Sequence, residues 1–322
     1  MNKKELRIIY MGTPEFAVEP LKTLVEGGYN VVAVVTMPDK PSGRGLKLQA
    51  SPVKQYAQSA NIHVLQPEKL KDEAFIIELK SFDADLQVVV AFRMLPEIVW
   101  AMPKNGTFNL HASLLPQYRG AAPIHHAVLN GENETGATTF FLQHSIDTGD
   151  IIFQEKITIG EKENTGSVHD KLMHLGSELV KKTVDAVING NVIAKPQGNY
   201  LNNSQLKPAP KLTRENTRID WTSDGKKIYN FIRGLSPFPT AWSELCNENG
   251  EIIGLKVFEA SFKYSDHGLK PGTIVSDEKK ELDVAVNDGF IVLERLQISG
   301  RKAMETDEFL RGFAGITNFF VR

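Results

Sequence analysis

The stretch "FNLHASLLPQYRGAAPIHHAVLNG", Phe108–Gly131, ends an apolar run with two hydrogen-bonding side chains, Asn109 and His111, and then turns through Ser113-Leu114-Leu115-Pro116. Residues at i and i+2 of a strand point to the same face, so Asn109 and His111 share a face near the end of a strand read over 106–113. Pro116 and Gly120 punctuate the turn that leads into a helix carrying His125 and His126. A buried strand, a stiff turn and a helix together form the repeating unit of an α/β fold.

The same unit recurs on both sides of this stretch. "LRIIYM" (6–11), "VVAVVT" (31–36), "NIHVLQ" (61–66) and "LQVVVAF" (86–92) are short apolar runs. Between them lie amphipathic segments: Phe16, Val18, Leu21, Leu24 and Val25 at helical spacing, a helix from Ser51-Pro52 to Ala60, and another over 68–80. "ATTFFL" and "DIIFQEKI" add strands, and 165–188 reads as a long amphipathic helix. The alternation predicts a doubly wound, mostly parallel sheet with ligands beyond the C-terminal ends of its strands.

Around 189–210 the character changes to Asn, Pro and Gly with little periodicity, as expected of a linker or of a strand and connecting loop. One helical segment follows (226–234), then short β-prone runs at 240–245, 252–258, 272–275, 283–286 and 290–293. These predict a small β-barrel or sandwich. The expected organisation is a catalytic domain over 1–189, a linker over 190–208 and a second domain over 209–322.

Bulk properties narrow the function classes. A chain of 322 residues suits about two domains of ~100–200 residues. With 37 basic against 39 acidic side chains, a chain coated in positive charge is excluded, though a local basic patch is not. The lone Cys246 rules out an internal disulfide and reads as a small apolar residue. No apolar run approaches the ~18–20 residues of a membrane span, and the run after the basic start is too short for a signal peptide, so the chain reads as cytoplasmic.

The first strand–helix turn, Gly12-Thr13-Pro14, breaks the GxGxxG dinucleotide signature. His125-His126 have no carboxylate at ligand spacing and no cysteine partner, so no metal site is expected. Ser113 is not in a G-x-S-x-G elbow. More pointed is Asn109 and His111 with a later acid, Asp147 or Asp150, in the turn of "HSIDTGDI". An amide donor, an imidazole and a carboxylate are equipment for acyl transfer without a protein nucleophile. From spacing alone, a strand-end Asn, a satisfied His and a turn Asp read more readily as ordinary structure.

Resemblance extends this reading. Asn-x-His, Ser-Leu-Leu-Pro, Arg-Gly-x-x-Pro and Asp-x-Gly, in this order from Asn109 to Gly149, closely resemble the signature of the folate-dependent formyltransferases. "MGTPEFA", "PDKPSGRGLKLQASPVK", "RIDW", "GLSPFPTAW" and "LQISGRKAM" extend the likeness over nearly the whole chain, towards the branch acting on methionyl-tRNA. The resemblance implies a Rossmann-like domain followed by an OB-like β-barrel. It implies 10-formyltetrahydrofolate as formyl donor, methionyl-initiator tRNA as acceptor, no metal and a monomer. Asn109 and His111 would bind the oxyanion, while Asp147 would orient His111 and assist proton movement.

The same resemblance places Ser113, Leu114, Leu115 and Pro116 in the folate loop, and Phe92, Met94 and Leu95 in a second lining segment. Arg93 departs from it, standing where the family has glycine. Lys40, Arg44 and Lys47 would belong to a tRNA-sensing loop, and Lys207, Lys211, Arg214, Arg301 and Lys302 to a tRNA-holding surface. Lys207 to Arg233 carries seven basic residues against three acidic ones. The alternatives are a 10-formyltetrahydrofolate hydrolase, a formyltransferase acting on a small amine, and a non-catalytic RNA-binding module.

Overall fold

The computed structural model describes residues 1–42, 47–201 and 205–322, so Arg44 of the expected tRNA loop lies outside the described residues. The chain divides into two compact units. One comprises Met1–Pro123, Thr135–Ile157 and His169–Pro208; the other comprises Ile124–Glu134, Thr158–Val168 and Ala209–Arg322. Residues 190–208, expected as a linker, belong to the first unit.

In chain order the first part of the fold runs β1 (Arg7–Gly12), α1 (Val18–Glu26), β2 (Asn30–Val35), the hairpin β3 (Lys40–Ser42) and β4 (Lys47–Gln49), and α2 (Pro52–Ser59). It continues with β5 (Val64–Leu65), α3 (Glu73–Ser81), β6 (Leu86–Val90), α4 (Glu97–Trp100), β7 (Thr107–His111), α5 (Pro123–Leu129), β8 (Glu134–Phe141), β9 (Ile151–Thr158) and α6 (Thr165–Ile188). The sheet order is β5-β2-β1-β6-β7-β8-β9. All pairs from β5 through β7 are parallel, and β8 runs antiparallel to β7. The chain winds outward from β1 and returns on its other side at β6, so the switch point lies beyond β1 and β6.

Parallel strands covered on both faces read as continuous apolar runs, which is why β1, β2 and β6 were visible in the sequence. Ile9, Met11, Val35 and Val89 pack against Phe75, Leu79 and Val99 in one core. Each such side chain contributes about 1.5–3 kcal/mol on burial. Gly12 is required by packing: a Cβ there would stand 2.7 Å from Ala17 Cβ and 3.0 Å from the Val90 carbonyl. Helix starts follow their caps. Ser51 Oγ accepts the Lys54 amide ahead of α2. Asp72 accepts the Ala74 and Phe75 amides, so α3 begins at Glu73, later than periodicity alone suggested.

The second unit carries α7 (Gly225–Leu235), β10 (Ala241–Asn247), β11 (Ile252–Tyr264), β12 (Ile274–Ser276), β13 (Leu282–Val286), β14 (Gly289–Ile298), β15 (Met304–Glu305), α8 (Thr306–Arg311) and β16 (Phe319–Val321). Its strands follow the order β12-β13-β14-β11-β10-β16, antiparallel throughout. A bridge between Thr273 and Phe320 joins the two ends of this order into a nearly closed barrel. Ile232, Leu255, Val284, Ile291 and Phe309 fill it. A Rossmann-like domain and an antiparallel barrel are therefore the architecture that the sequence predicted. Among the described residues, no helix is long and apolar enough to cross a membrane.

Candidate active site

Asn109 and His111 stand at the end of β7, with register partners Phe140 and Thr138 on β8. His111 is 6% exposed, so each ring nitrogen needs a partner within the fold. Nε2 lies 2.8 Å from the Tyr118 carbonyl. A carbonyl only accepts, so Nε2 carries the proton and the ring is fixed with Nδ1 turned to Asp147. Nδ1 and Asp147 Oδ2 are 3.9 Å apart, beyond hydrogen-bond length but with the carboxylate facing the ring. The Asn109 side-chain amide makes no hydrogen bond among the described residues. Of the two candidate acids, Asp147 reaches the histidine, whereas Asp150 is exposed.

Asp147 adopts a left-handed conformation, φ +53°, which costs a non-glycine residue roughly 1 kcal/mol or more unless its surroundings hold it. Three contacts do so. The Gly120 amide donates to Asp147 Oδ2 at 3.0 Å. Gln197 Nε2 donates to the carbonyls of Asp147 and Gly149, both at 2.9 Å. Gly149 is confined as well, since a Cβ there would lie 1.7 Å from the Phe141 carbonyl oxygen.

The Ser113–Pro116 turn is secured from β8 and β9. Thr138 Oγ1 donates to the Ser113 carbonyl at 2.6 Å and accepts from the Leu115 amide at 3.2 Å, and Gln154 donates to the Leu115 carbonyl at 2.9 Å. Ser113 Oγ closes the turn onto the Gln117 carbonyl at 2.7 Å. Leu115 packs with Phe140 and Ile151. The expected folate residues thus divide into two groups. Ser113, Leu115, Pro116 and Leu95 are buried and shape the framework; Leu114, Phe92 and the 76%-exposed Met94 present surface.

Arg93 turns away into the chain: Nη1 donates to the Glu68 carbonyl at 2.7 Å and Nη2 to that of Pro67. Burial holds its pKa below the ordinary guanidinium value. The left-handed residue of this loop is Ala91, φ +46°, so Arg93 occupies a position that tolerates a side chain.

Lys195 and Lys207 supply contacts that sequence reasoning missed. Lys195 bridges to Ile151 at the sheet edge. The Tyr118 amide donates to the Lys207 carbonyl at 2.7 Å, and the Lys207 amide to Gln117 Oε1 at 2.8 Å. Expected on the tRNA-holding surface, Lys207 thus belongs to the first unit, beside the signature loop. Backbone partners such as these leave no trace in a one-dimensional pattern.

In the second unit Lys211, Arg214, Arg301 and Lys302 are exposed. Arg214 lies over Trp242 with 4.6 Å between guanidinium and ring, and both line a cleft of about 500 Å³ with Lys256 and Gln297. Other cations of the basic segment are engaged. Arg218 pairs with Glu244 at 3.0 Å and Lys226 with Glu161 at 3.0 Å. Arg233 is buried, donating to Asn230 and to the Glu163 carbonyl. Lys40 is exposed beside the loop base, which Asp39 ties to Lys54 at 2.6 Å and to Gln66 at 2.8 Å. The backbone of Lys47 lies in β4. His125 and His126 bond to the Phe238 and Pro210 carbonyls. His144 is an exposed neighbour of Trp100 and Glu97. Among the described residues, no group of three or more His, Cys, Asp or Glu side chains could hold a metal ion.

Comparison with known proteins places this geometry. The formyl transferase family matches residues 6–184, and the formyl transferase C-terminal domain matches 211–314. A methionyl-tRNA formyltransferase of Bacteroides thetaiotaomicron is 60% identical over 313 residues, 97% of each chain. The chain belongs to the methionyl-tRNA formyltransferase family. A further relative of that description, from Porphyromonas gingivalis, is 46% identical over the full length of both chains. Two solved structures share the fold. The N-formyltransferase of Helicobacter canadensis, in complex with folinic acid and dTDP-3-aminofucose, has a TM-score of 0.61 at 21% identity, covering 91% of this chain and 99% of that one. HypX of Aquifex aeolicus with tetrahydrofolic acid has a TM-score of 0.61 at 17% identity; the match covers 96% of this chain and 47% of HypX. Gln197 falls between the two matched spans of this family member.

Proposed function

We propose that this chain transfers the formyl group of 10-formyltetrahydrofolate to the α-amine of methionine esterified to initiator tRNA, acting as a cytoplasmic monomer. The observation carrying the reading is the convergence of Asn109, His111 and Asp147, with His111 fixed by the Tyr118 carbonyl so that Nδ1 faces the carboxylate. The amine nitrogen attacks the formyl carbon, and the C=O electron pair moves onto oxygen. Asn109 and His111 bind that oxyanion, which develops only as the bond forms. The carbonyl then re-forms, the bond to folate N10 breaks, N10 gains a proton and the former amine loses one, and Asp147 assists that transfer. No covalent enzyme intermediate is required.

Leu114, Phe92 and Met94 offer an apolar lip for the pterin and its aromatic tail, above a turn whose backbone is rigidly bonded. The acceptor RNA meets Lys40, Arg44 and Lys47 of the 38–49 loop and the exposed cations Lys211, Arg214, Arg301 and Lys302. The barrel cleft with Arg214, Trp242 and Lys256 suits a backbone phosphate beside a base. Incubation with 10-formyltetrahydrofolate and methionine-charged initiator tRNA, beside a tRNA-free control, tests the reading. Formyl transfer that needs charged tRNA and is lost in Asn109→Ala or His111→Ala supports it. Formate released equally without tRNA replaces it with a hydrolase.

A further inference from the structure

Gln197 is 4% exposed, and its amide is fully used. Both N–H bonds go to backbone carbonyls, of Asp147 and Gly149, at 2.9 Å each. The amide oxygen accepts from Arg119 Nε at 3.1 Å and Nη2 at 2.6 Å. A flipped amide would set its oxygen against two carbonyls and its N–H groups against a guanidinium, so only one orientation fits. The bonds to the carbonyls of Asp147 and Gly149 span the turn that keeps Asp147 left-handed. Arg119, in turn, adjoins Gly120, whose amide grips the Asp147 carboxylate. A complete buried network of this kind fixes one geometry.

We infer that Gln197 is a positioning residue for the reaction: it holds the Asp147 turn and Arg119 in one arrangement, so that the Asp147 carboxylate stays facing His111. The inference rests on the proposed role of Asp147. Gln197 touches neither the reacting atoms nor His111; it acts through the backbone carbonyl of Asp147. Its neighbours Lys195 and Tyr200 anchor the segment, by the bridge to Ile151 and by packing against Leu115, Phe140 and Ile151. The amide is therefore delivered from a fixed base.

The test is Gln197→Leu, which retains the volume and removes all four bonds. A misplacement of about 1 Å costs on the order of 100-fold in rate, so kcat falls about 10- to 100-fold while KM for either substrate stays within about threefold. Because the effect runs through Asp147, adding Gln197→Leu to Asp147→Asn lowers kcat by less than about twofold more. Losses that multiply in the double variant, or a change confined to KM, overturn the inference. Should Gln197→Leu fail to fold, Gln197→Glu keeps the Arg119 contact but turns a carboxylate on two carbonyls; it must show the same kcat loss, and wild-type kcat there also overturns it. The His111 ring signals in a 1H–15N spectrum give a readout free of turnover. Gln197→Leu moves the signals that Asp147→Asn moves, and unchanged signals refute the coupling. A wild-type chain that does not formylate charged tRNA sinks the proposed function, and the ring signals still decide on Gln197.

Discussion

His111 presents Nδ1 to Asp147 Oδ2 across 3.9 Å, because its other nitrogen is already committed to the Tyr118 carbonyl at 2.8 Å. The carboxylate faces the ring without a direct hydrogen bond, and the backbone sets the ring's direction. Asp147→Asn removes the charge and leaves an oxygen for the Gly120 amide. Its kcat is expected to fall by about 100-fold or more with little change in either KM, measured by steady-state formylation.

In the proposed reaction Asn109 is a donor to the oxyanion. Asn109→Ala is expected to lower kcat by about 10²–10³-fold, and Asn109→Asp by more, since it sets a negative charge beside the developing oxyanion. Both variants should keep the wild-type far-UV spectrum and folate affinity. A change in affinity alone would move Asn109 from the reaction to ground-state binding.

Gly149 cannot gain a side chain cheaply. With the Phe141 carbonyl oxygen 1.7 Å from where a Cβ would sit, Gly149→Ala must displace the β8 end or the Asp147 turn. Overpacking of this kind costs about 1–3 kcal/mol or more. Thermal unfolding should shift down, with kcat falling further than the stability loss explains.

Much of the fold was legible for reasons these residues make plain. β1, β2 and β6 are buried on both faces, so their apolar runs are continuous; α6 matches its periodic segment at both ends. The start of α3 escaped because the Asp72 cap outweighs hydrophobic spacing. The hairpin β3–β4, the two-residue β15, and α8 and β16 are too short to carry a period. At the site, strand alternation alone placed Asn109 and His111 together. Choosing Asp147 over Asp150 needed the family resemblance. Gln197 and the Tyr118 carbonyl were beyond reach: a backbone oxygen has no letter, and a lone Gln in a polar segment looks like surface.

Acid should loosen the barrel at one turn. Asp277 Oδ1 accepts the amides of Lys279, Lys280 and Glu281 at 2.9, 2.7 and 2.9 Å, which holds its pKa down at about 2 against an ordinary 3.8. The folded value lies below the unfolded one, so the unfolded chain binds more protons between them. The stabilisation is complete above 3.8 and disappears as pH falls towards 2. In Asp277→Ala, the fall of Tm from pH 4 to pH 2 should be shallower than in the wild type. An identical slope would show that the carboxylate contributes nothing to folding.

The exposed cations differ from the engaged ones in what their loss does. Lys211→Ala and Arg214→Ala should each weaken tRNA binding and reduce the salt slope by about one, without lowering Tm. Arg233→Ala should lower Tm instead, since it removes the buried bonds to the Asn230 side chain and to the Glu163 carbonyl. Titration of labelled tRNA at several salt concentrations separates the two classes.

The late position of Gln197 and Lys207 in the first unit also sets an order of events during synthesis. When the ribosome has delivered every strand of the first sheet, Gln197 and Lys207 are still to come, and with them the clamp on the Asp147 turn and the signature loop. A nascent chain halted near residue 189 would own the whole sheet, Asn109, His111 and Asp147, yet hold them without their buttress. On the proposed role of Gln197, competence arrives only with this short, mostly polar stretch, anchored by Tyr200 against Leu115, Phe140 and Ile151.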